Sequence, residues 1–148
     1  MKKIKKKKIK FELSAGGIIY NPATDKILVI KDQNNRVSFP KGMNDPKEKL
    51  VDTAIREARE ETGIKKLNLI SKLGGVKFFY KFKGELIFKR IDYFLFEAPL
   101  EKPKPQVKEI KDALWMDKNK VLKQISFSNL KPLFQKALDI IKQKYAKT

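Results

Sequence analysis

The sequence predicts a single α/β sandwich, and three observations predict it. A chain of 148 residues, 41% of them hydrophobic, carries enough apolar surface for one packed core and too little length for a second. Segments rich in β-branched and aromatic residues, separated by Asn, Pro and Gly, read as strands. Between and after them, two stretches place apolar residues at helical spacing, so strands and helices mix within one small chain.

The first ten residues, MKKIKKKKIK, hold seven lysines and no acid. Such a block buries too little surface to offset the entropy of ordering, so residues 1–10 are expected to form a flexible tail and residues 11–148 the domain. The run has the charge of a signal peptide but no apolar stretch follows, because Glu12, Ser14 and two glycines interrupt it. FELSAGGIIY and DKILVI then read as strands joined by the turn NPAT, and the turn KDQNN leads into RVSFPKG. From residue 45 to 62 the pattern turns helical through Leu50, Val51, Ala54, Ile55 and Ala58, with Asp45 as expected N-cap, Pro46 in the first turn and Gly63 at the end. Residues 67–97 read as at least two strands with a hairpin around KFKGE. EAPLEKPKPQ is a loop and ALWMD a short strand. The final amphipathic helix runs through Leu130, Leu133, Phe134, Ala137, Leu138, Ile141 and Tyr145.

Composition narrows the chemistry. With no cysteine and no histidine, thiolate nucleophiles, disulfides and imidazole ligands are excluded, so any metal must be held by oxygen. Oxygen donors suit hard cations, magnesium first and manganese second. The balance of 35 Lys+Arg against 17 Asp+Glu, a formal charge of +18, suits polyanionic partners. No stretch is long enough to cross a membrane, and a soluble, cytoplasmic protein, monomer or homodimer, is expected.

The informative cluster is Glu57, Glu60 and Glu61. Offsets of three and four residues put all three acids on one face of the helix, away from Val51, Ala54, Ile55 and Ala58. Like charges so placed repel unless a cation compensates them, and a divalent metal would do so. Taken alone, an acidic helix face is usually just a solvated one.

Its surroundings carry more. GMNDPKEKLVDTAIREAREETGI resembles the Nudix box, G-x5-E-x7-R-E-U-x-E-E-x-G-U, with Gly42, Glu48, Arg56, Glu57, Glu60, Glu61, Gly63 and Ile64 in register. Ala58 is the one soft departure, smaller than the usual aliphatic. The resemblance implies a Nudix fold, an α/β/α sandwich with a mixed central sheet and a loop-helix-loop catalytic motif. It implies a hydrolase that cuts a pyrophosphate bond in a nucleoside diphosphate linked to another group, with Mg2+ held by Glu57, Glu60 and Glu61 and the Gly42 carbonyl nearby. By the same resemblance Glu48 and Arg56 form an internal ion pair that orients the helix. Glu109, from a loop outside the box, is the further acid that binds metal or activates water, and either it or Glu57 serves as the base.

Beyond the box, SAGGIIY, SFPKG and GELIFKRIDYF resemble the diadenosine tetraphosphate hydrolases of the family over most of residues 11 to 142. That likeness implies that Lys41 and Lys89 contact phosphates and that Tyr80 stacks on an adenine. Val37 stands where these relatives often have an aromatic residue, which opens one side of the expected base slot. Two other readings stand beside it: an RNA 5′-end pyrophosphohydrolase, and an inert Nudix domain that binds nucleic acid. The lysine-rich tail is expected to make at most weak, non-specific RNA contacts.

Overall fold

The computed structural model describes residues 8–105 and 108–146. Most of the lysine run therefore lies outside the described residues. The first strand, β1 (Ile9–Asn21), begins two residues before the domain boundary expected from that run, with Ile9 and Lys10 paired to Leu86 and Ile87. It is followed by β2 (Lys26–Asp32), β3 (Val37–Ser38), β4 (Lys41–Met43), helix α1 (Leu50–Thr62), β5 (Asn68–Phe82) and β6 (Glu85–Glu97). β7 (Ile110–Asp117), α2 (Lys118–Gln124), a 3-10 turn (Ser128–Leu130) and α3 (Lys131–Tyr145) complete the chain.

The sheet is mixed. Its main order is β3-β2-β1-β6-β5, with β4 added to β1 and β7 to β2. β1 and β6 run parallel over the register Ile9↔Leu86 to Tyr20↔Glu97, and the other pairs are antiparallel. Because successive side chains alternate in direction, each central strand feeds two cores. On one face Ile18, Val29, Tyr93 and Leu95 pack with Phe134, Ala137 and Ile141 of α3. On the other Ala15, Ile19, Leu28, Phe94 and Phe96 pack with Ala54 and Ala58 of α1. The run ILVI in β2 is buried on both faces, which is why it is continuously apolar. This is the α/β/α sandwich that the sequence predicts.

One boundary moves. The helix starts at Leu50 rather than near Asp45, and Asp45 does not cap it. The Asp45 carboxylate accepts from the Lys47 N–H at 2.9 Å and its carbonyl from the Glu48 N–H at 2.8 Å. The segment Asp-Pro-Lys-Glu thus closes a turn of its own before the helix begins. The far end is as expected: Gly63 takes φ 76°, and its N–H donates to the Arg59 carbonyl at 2.8 Å. A side chain there would also strike the Lys104 carbonyl at 2.9 Å.

Candidate active site

The loop-helix-loop from Lys41 to Ile64 is tied to the sheet at its start and clamped from within. β4 pairs with β1 in the register Ala15↔Gly42 and Gly16↔Lys41, and the Asn44 N–H donates to Leu13 at 2.9 Å. Glu48 reaches back over the helix, where its carboxylate accepts from Arg56 Nε and Nη2, both at 2.9 Å, and from Thr53 Oγ1 at 3.1 Å. The Arg56 guanidinium beside it holds the Glu48 carboxyl well down, to about 2. Arg56 Nη2 also donates to the Met43 carbonyl at 3.0 Å, linking α1 to β4.

The three acids come off the same helix face into different surroundings. Glu57 lies against Gly42: a Cβ on that glycine would fall 2.0 Å from the Glu57 carboxyl carbon, so only glycine lets the strand approach so closely. Glu57 also accepts from Arg56 Nη1 at 2.7 Å, whereas Glu60 is half exposed and 3.4 Å from the same nitrogen. Glu61 accepts from the backbone N–H of Lys41 at 3.1 Å. Burial pushes its carboxyl up to about 8, with the charges of Glu57 and Glu109 adding to the rise and Lys41 opposing it.

Among the described residues no three acidic side chains converge closely enough to hold a metal as they stand. The reason is visible in the contacts: Arg56 draws Glu57 and Glu60 toward itself, and the Lys41 N–H engages Glu61. The donor set nevertheless fits a hard divalent cation. It is all oxygen, and it sits on one helix face at a glycine cradle where Glu57 lies against Gly42.

Beside these acids opens a cleft of about 380 Å3. Lys41, Glu61 and Glu109 line it, together with Phe78 and Phe127. Tyr93 and Ile91 contribute from β6, and Arg36 reaches it from the β2–β3 turn, with its guanidinium 5.5 Å from the Phe127 ring centre. Two roomier concavities, one by the Tyr20 and Tyr145 rings and one at the β5–β6 hairpin, touch none of the acids.

The structure thus brings Lys41, Glu61 and Glu109 together and leaves other expected residues at the margin. Tyr80 does not line the cleft; its hydroxyl is bonded to Glu12. Lys89 stands beside Glu12, 4.0 Å from its carboxylate, and its ammonium is pushed down by burial and by the charge of Lys41. Val37 is buried in the core and is not a cleft wall. The aromatic residues that do reach the cleft are Phe78, two positions before Tyr80 on the same face of β5, and Phe127. Phe78 was within reach of strand alternation, but Phe127 lies in an irregular segment without periodicity.

The NUDIX domain family model matches residues 10–137, a span that contains the whole loop-helix-loop and the residues that line the cleft. The chain belongs to the Nudix domain family. Its curated relatives include nucleoside diphosphate-linked moiety X motif 6 of Homo sapiens, 44% identical over 57 residues, and that of Mus musculus, 40% identical over 57 residues. Each match takes in 36% of this chain and only 18% of the relative's length. Among solved structures this Nudix domain is similar to a C. elegans Ap4A hydrolase in a binary complex, with TM-score 0.72 and 23% identity over 89% of this chain and 98% of that one. It also resembles the E. coli dihydroneopterin triphosphate pyrophosphohydrolase, with TM-score 0.70 and 19% identity over 88% and 99% of the two chains. A third is the Nudix domain of Shewanella oneidensis NrtR complexed with ADP ribose, with TM-score 0.71 and 17% identity over 93% and 90%. At these identities the likeness is one of fold. No described helix is long and apolar enough to cross a membrane.

Proposed function

We propose that this Nudix domain is a divalent-cation-dependent pyrophosphohydrolase acting on a nucleoside diphosphate linked to a further group, and that it cuts diadenosine tetraphosphate to ATP and AMP. The observation that carries this reading is one cleft lined both by an acid of the Nudix motif, Glu61, and the lysine just before the motif, Lys41, and by two aromatic rings, Phe78 and Phe127. Polyphosphate chemistry needs the first pair and a nucleobase needs the second.

In this reading Glu57, Glu60 and Glu61, with the Gly42 carbonyl, would hold magnesium or manganese. When bound, such an ion would supply positive charge to the polyphosphate and would make water more acidic. The protein supplies the rest. Arg56, anchored on Glu48, keeps α1 in register with β4 and so places the acids. Lys41 and Lys89 repel one another, which leaves a positive potential that a polyphosphate chain relieves. Phe78 and Phe127 take a base, with Arg36 backing the Phe127 ring. Water attacks phosphorus, the bridging P–O bond breaks, and Glu109 or Glu57 accepts the proton.

The test is hydrolysis by the full chain with magnesium, using diadenosine tetraphosphate, nucleotide sugars, deoxynucleoside triphosphates and triphosphorylated RNA, with products separated by ion-exchange chromatography. The expected result is ATP and AMP from diadenosine tetraphosphate. Release of phosphate or pyrophosphate from RNA ends, with diadenosine tetraphosphate untouched, would replace this reading by the RNA 5′-end one. No turnover of any substrate would leave an inert domain.

A further inference from the structure

On the sheet face that carries α1, the outer halves of β1, β6 and β5 extend past the helix, and among the described residues no element covers them. Strand register sorts their side chains into three rows. The middle row is Phe11↔Phe88↔Phe79, three phenylalanines side by side across three strands. Their ring centres are 5.9 Å apart for Phe11 and Phe88 and 4.7 Å for Phe88 and Phe79. Phe11 is 73% exposed and Phe79 58%, although a phenylalanine ordinarily contributes its ring to a core. None of the three belongs to either buried core.

The flanking rows carry charge of one sign. Lys81 stands on one side of the ladder, in the row Ile9↔Leu86↔Lys81, and Arg90 and Lys77 stand on the other, in the row Leu13↔Arg90↔Lys77. These nine positions include three cations and no acid. Asp92 lies buried beneath Arg90 and accepts from its Nε at 2.7 Å, and Glu85 stands at the hairpin end beside Leu86 and Lys81.

We propose that this face is a binding platform for single-stranded nucleic acid, separate from the cleft. Exposed rings on an open sheet offer stacking surfaces to unpaired bases, and cations one row away on either side meet the phosphates. A second copy of this chain is the poorer occupant. Isologous packing of the face would bring Lys77, Lys81 and Arg90 of both copies into one interface, six cations with no acid among the nine positions of either copy, on proteins that each carry +18. A polyanion matches that charge. The proposal does not depend on the hydrolase reading, since none of these residues lines the cleft.

The experiment is fluorescence anisotropy of the full chain with a labelled twelve-nucleotide oligouridylate, beside a duplex RNA of the same length. The Phe11→Ala/Phe79→Ala variant removes no charge, so it leaves the phosphate attraction of the lysine-rich N-terminus intact. Binding of the single strand should fall about tenfold or more in this variant, while duplex binding stays unchanged. Lys77→Gln/Lys81→Gln should lower the salt slope of single-strand binding by about one to two. Far-ultraviolet circular dichroism and cleft activity, both expected to match the parent, show that the variants are folded. Equal single-strand affinity for the parent and the double phenylalanine variant would overturn the proposal. So would a parent dimer in sedimentation velocity that the phenylalanine variant abolishes, with RNA binding unmoved; that result would assign the face to a second copy.

Discussion

Arg56 holds Glu48 by two parallel hydrogen bonds of 2.9 Å, Nε to Oε2 and Nη2 to Oε1, across eight residues of chain. This fork joins the turn before α1 to the middle of the helix, and the same guanidinium reaches the Met43 carbonyl. Its electrostatic mark is the low Glu48 carboxyl, at about 2 against an ordinary 4.5. A carboxylate depressed in the folded state contributes stability above its unfolded value and loses it as pH falls through the folded one. The stability difference between the parent and Glu48→Gln should therefore be full above about pH 4.5 and shrink toward zero near pH 2. Urea midpoints measured across that range check it; a difference independent of pH would mean that the ion pair does not stabilise the fold.

Gly42→Ala tests the cradle. The added Cβ would fall 2.0 Å from the Glu57 carboxyl carbon, so the side chain must leave its place while the sheet pairing stays. Turnover should drop by about 100-fold, the scale on which small misplacements of reacting groups act. The thermal midpoint should shift by only a few degrees. Parent-like kcat would show that Glu57 does not need that position.

These two sites also show what could be read in advance. The acid face of α1 and the apolar faces of α1 and α3 follow from helical spacing, because the residues involved are neighbours in sequence. The start of α1 does not, since Asp45 followed by Pro46 has the same composition whether it caps a helix or closes a turn. The aromatic walls are harder still. Tyr80 and Phe78 share a parity in β5, so alternation cannot separate them: Phe78 lines the cleft, whereas Tyr80, two residues nearer the hairpin, bonds Glu12. Phe127 enters through long-range contacts, with Val37 N–H donating to Ser126 Oγ at 2.8 Å and the Ser126 N–H to the Val37 carbonyl at 3.0 Å, and no local pattern announces them.

Substrate recognition should follow the cleft rather than Tyr80. Phe127→Ala should raise KM for diadenosine tetraphosphate about tenfold with little change in kcat, since stacking on a base away from the reacting phosphorus is uniform binding. Phe78→Ala should act in the same direction, and Tyr80→Ala, which removes the ring itself, should leave KM within about twofold, an expectation set by its hydroxyl bond to Glu12 and its place outside the cleft. Steady-state kinetics on the three variants decide this. A large KM effect at Tyr80 alone would move the base contact back along β5.

The core beneath the cleft should be sensitive to volume. Phe134 is fully buried and stacks on Phe39 at 5.6 Å between ring centres, joining α3 to the sheet. Phe134→Ala should destabilise the protein by about 3–5 kcal/mol through lost burial and the cavity left behind. Chemical denaturation of the parent and the variant measures it, and a loss under about 1 kcal/mol would mean that α3 packs more loosely than its contacts show.

The most direct measurement is turnover of diadenosine tetraphosphate by the parent and by Glu61→Gln at saturating magnesium, with circular dichroism to verify that both are folded. The substitution keeps the size and the bond from the Lys41 N–H while removing charge from the acid face. The account predicts a fall of about two orders of magnitude or more in kcat, with the residual rate no longer rising with added magnesium. A well-folded Glu61→Gln protein that hydrolyses the substrate at close to the parent rate would contradict it.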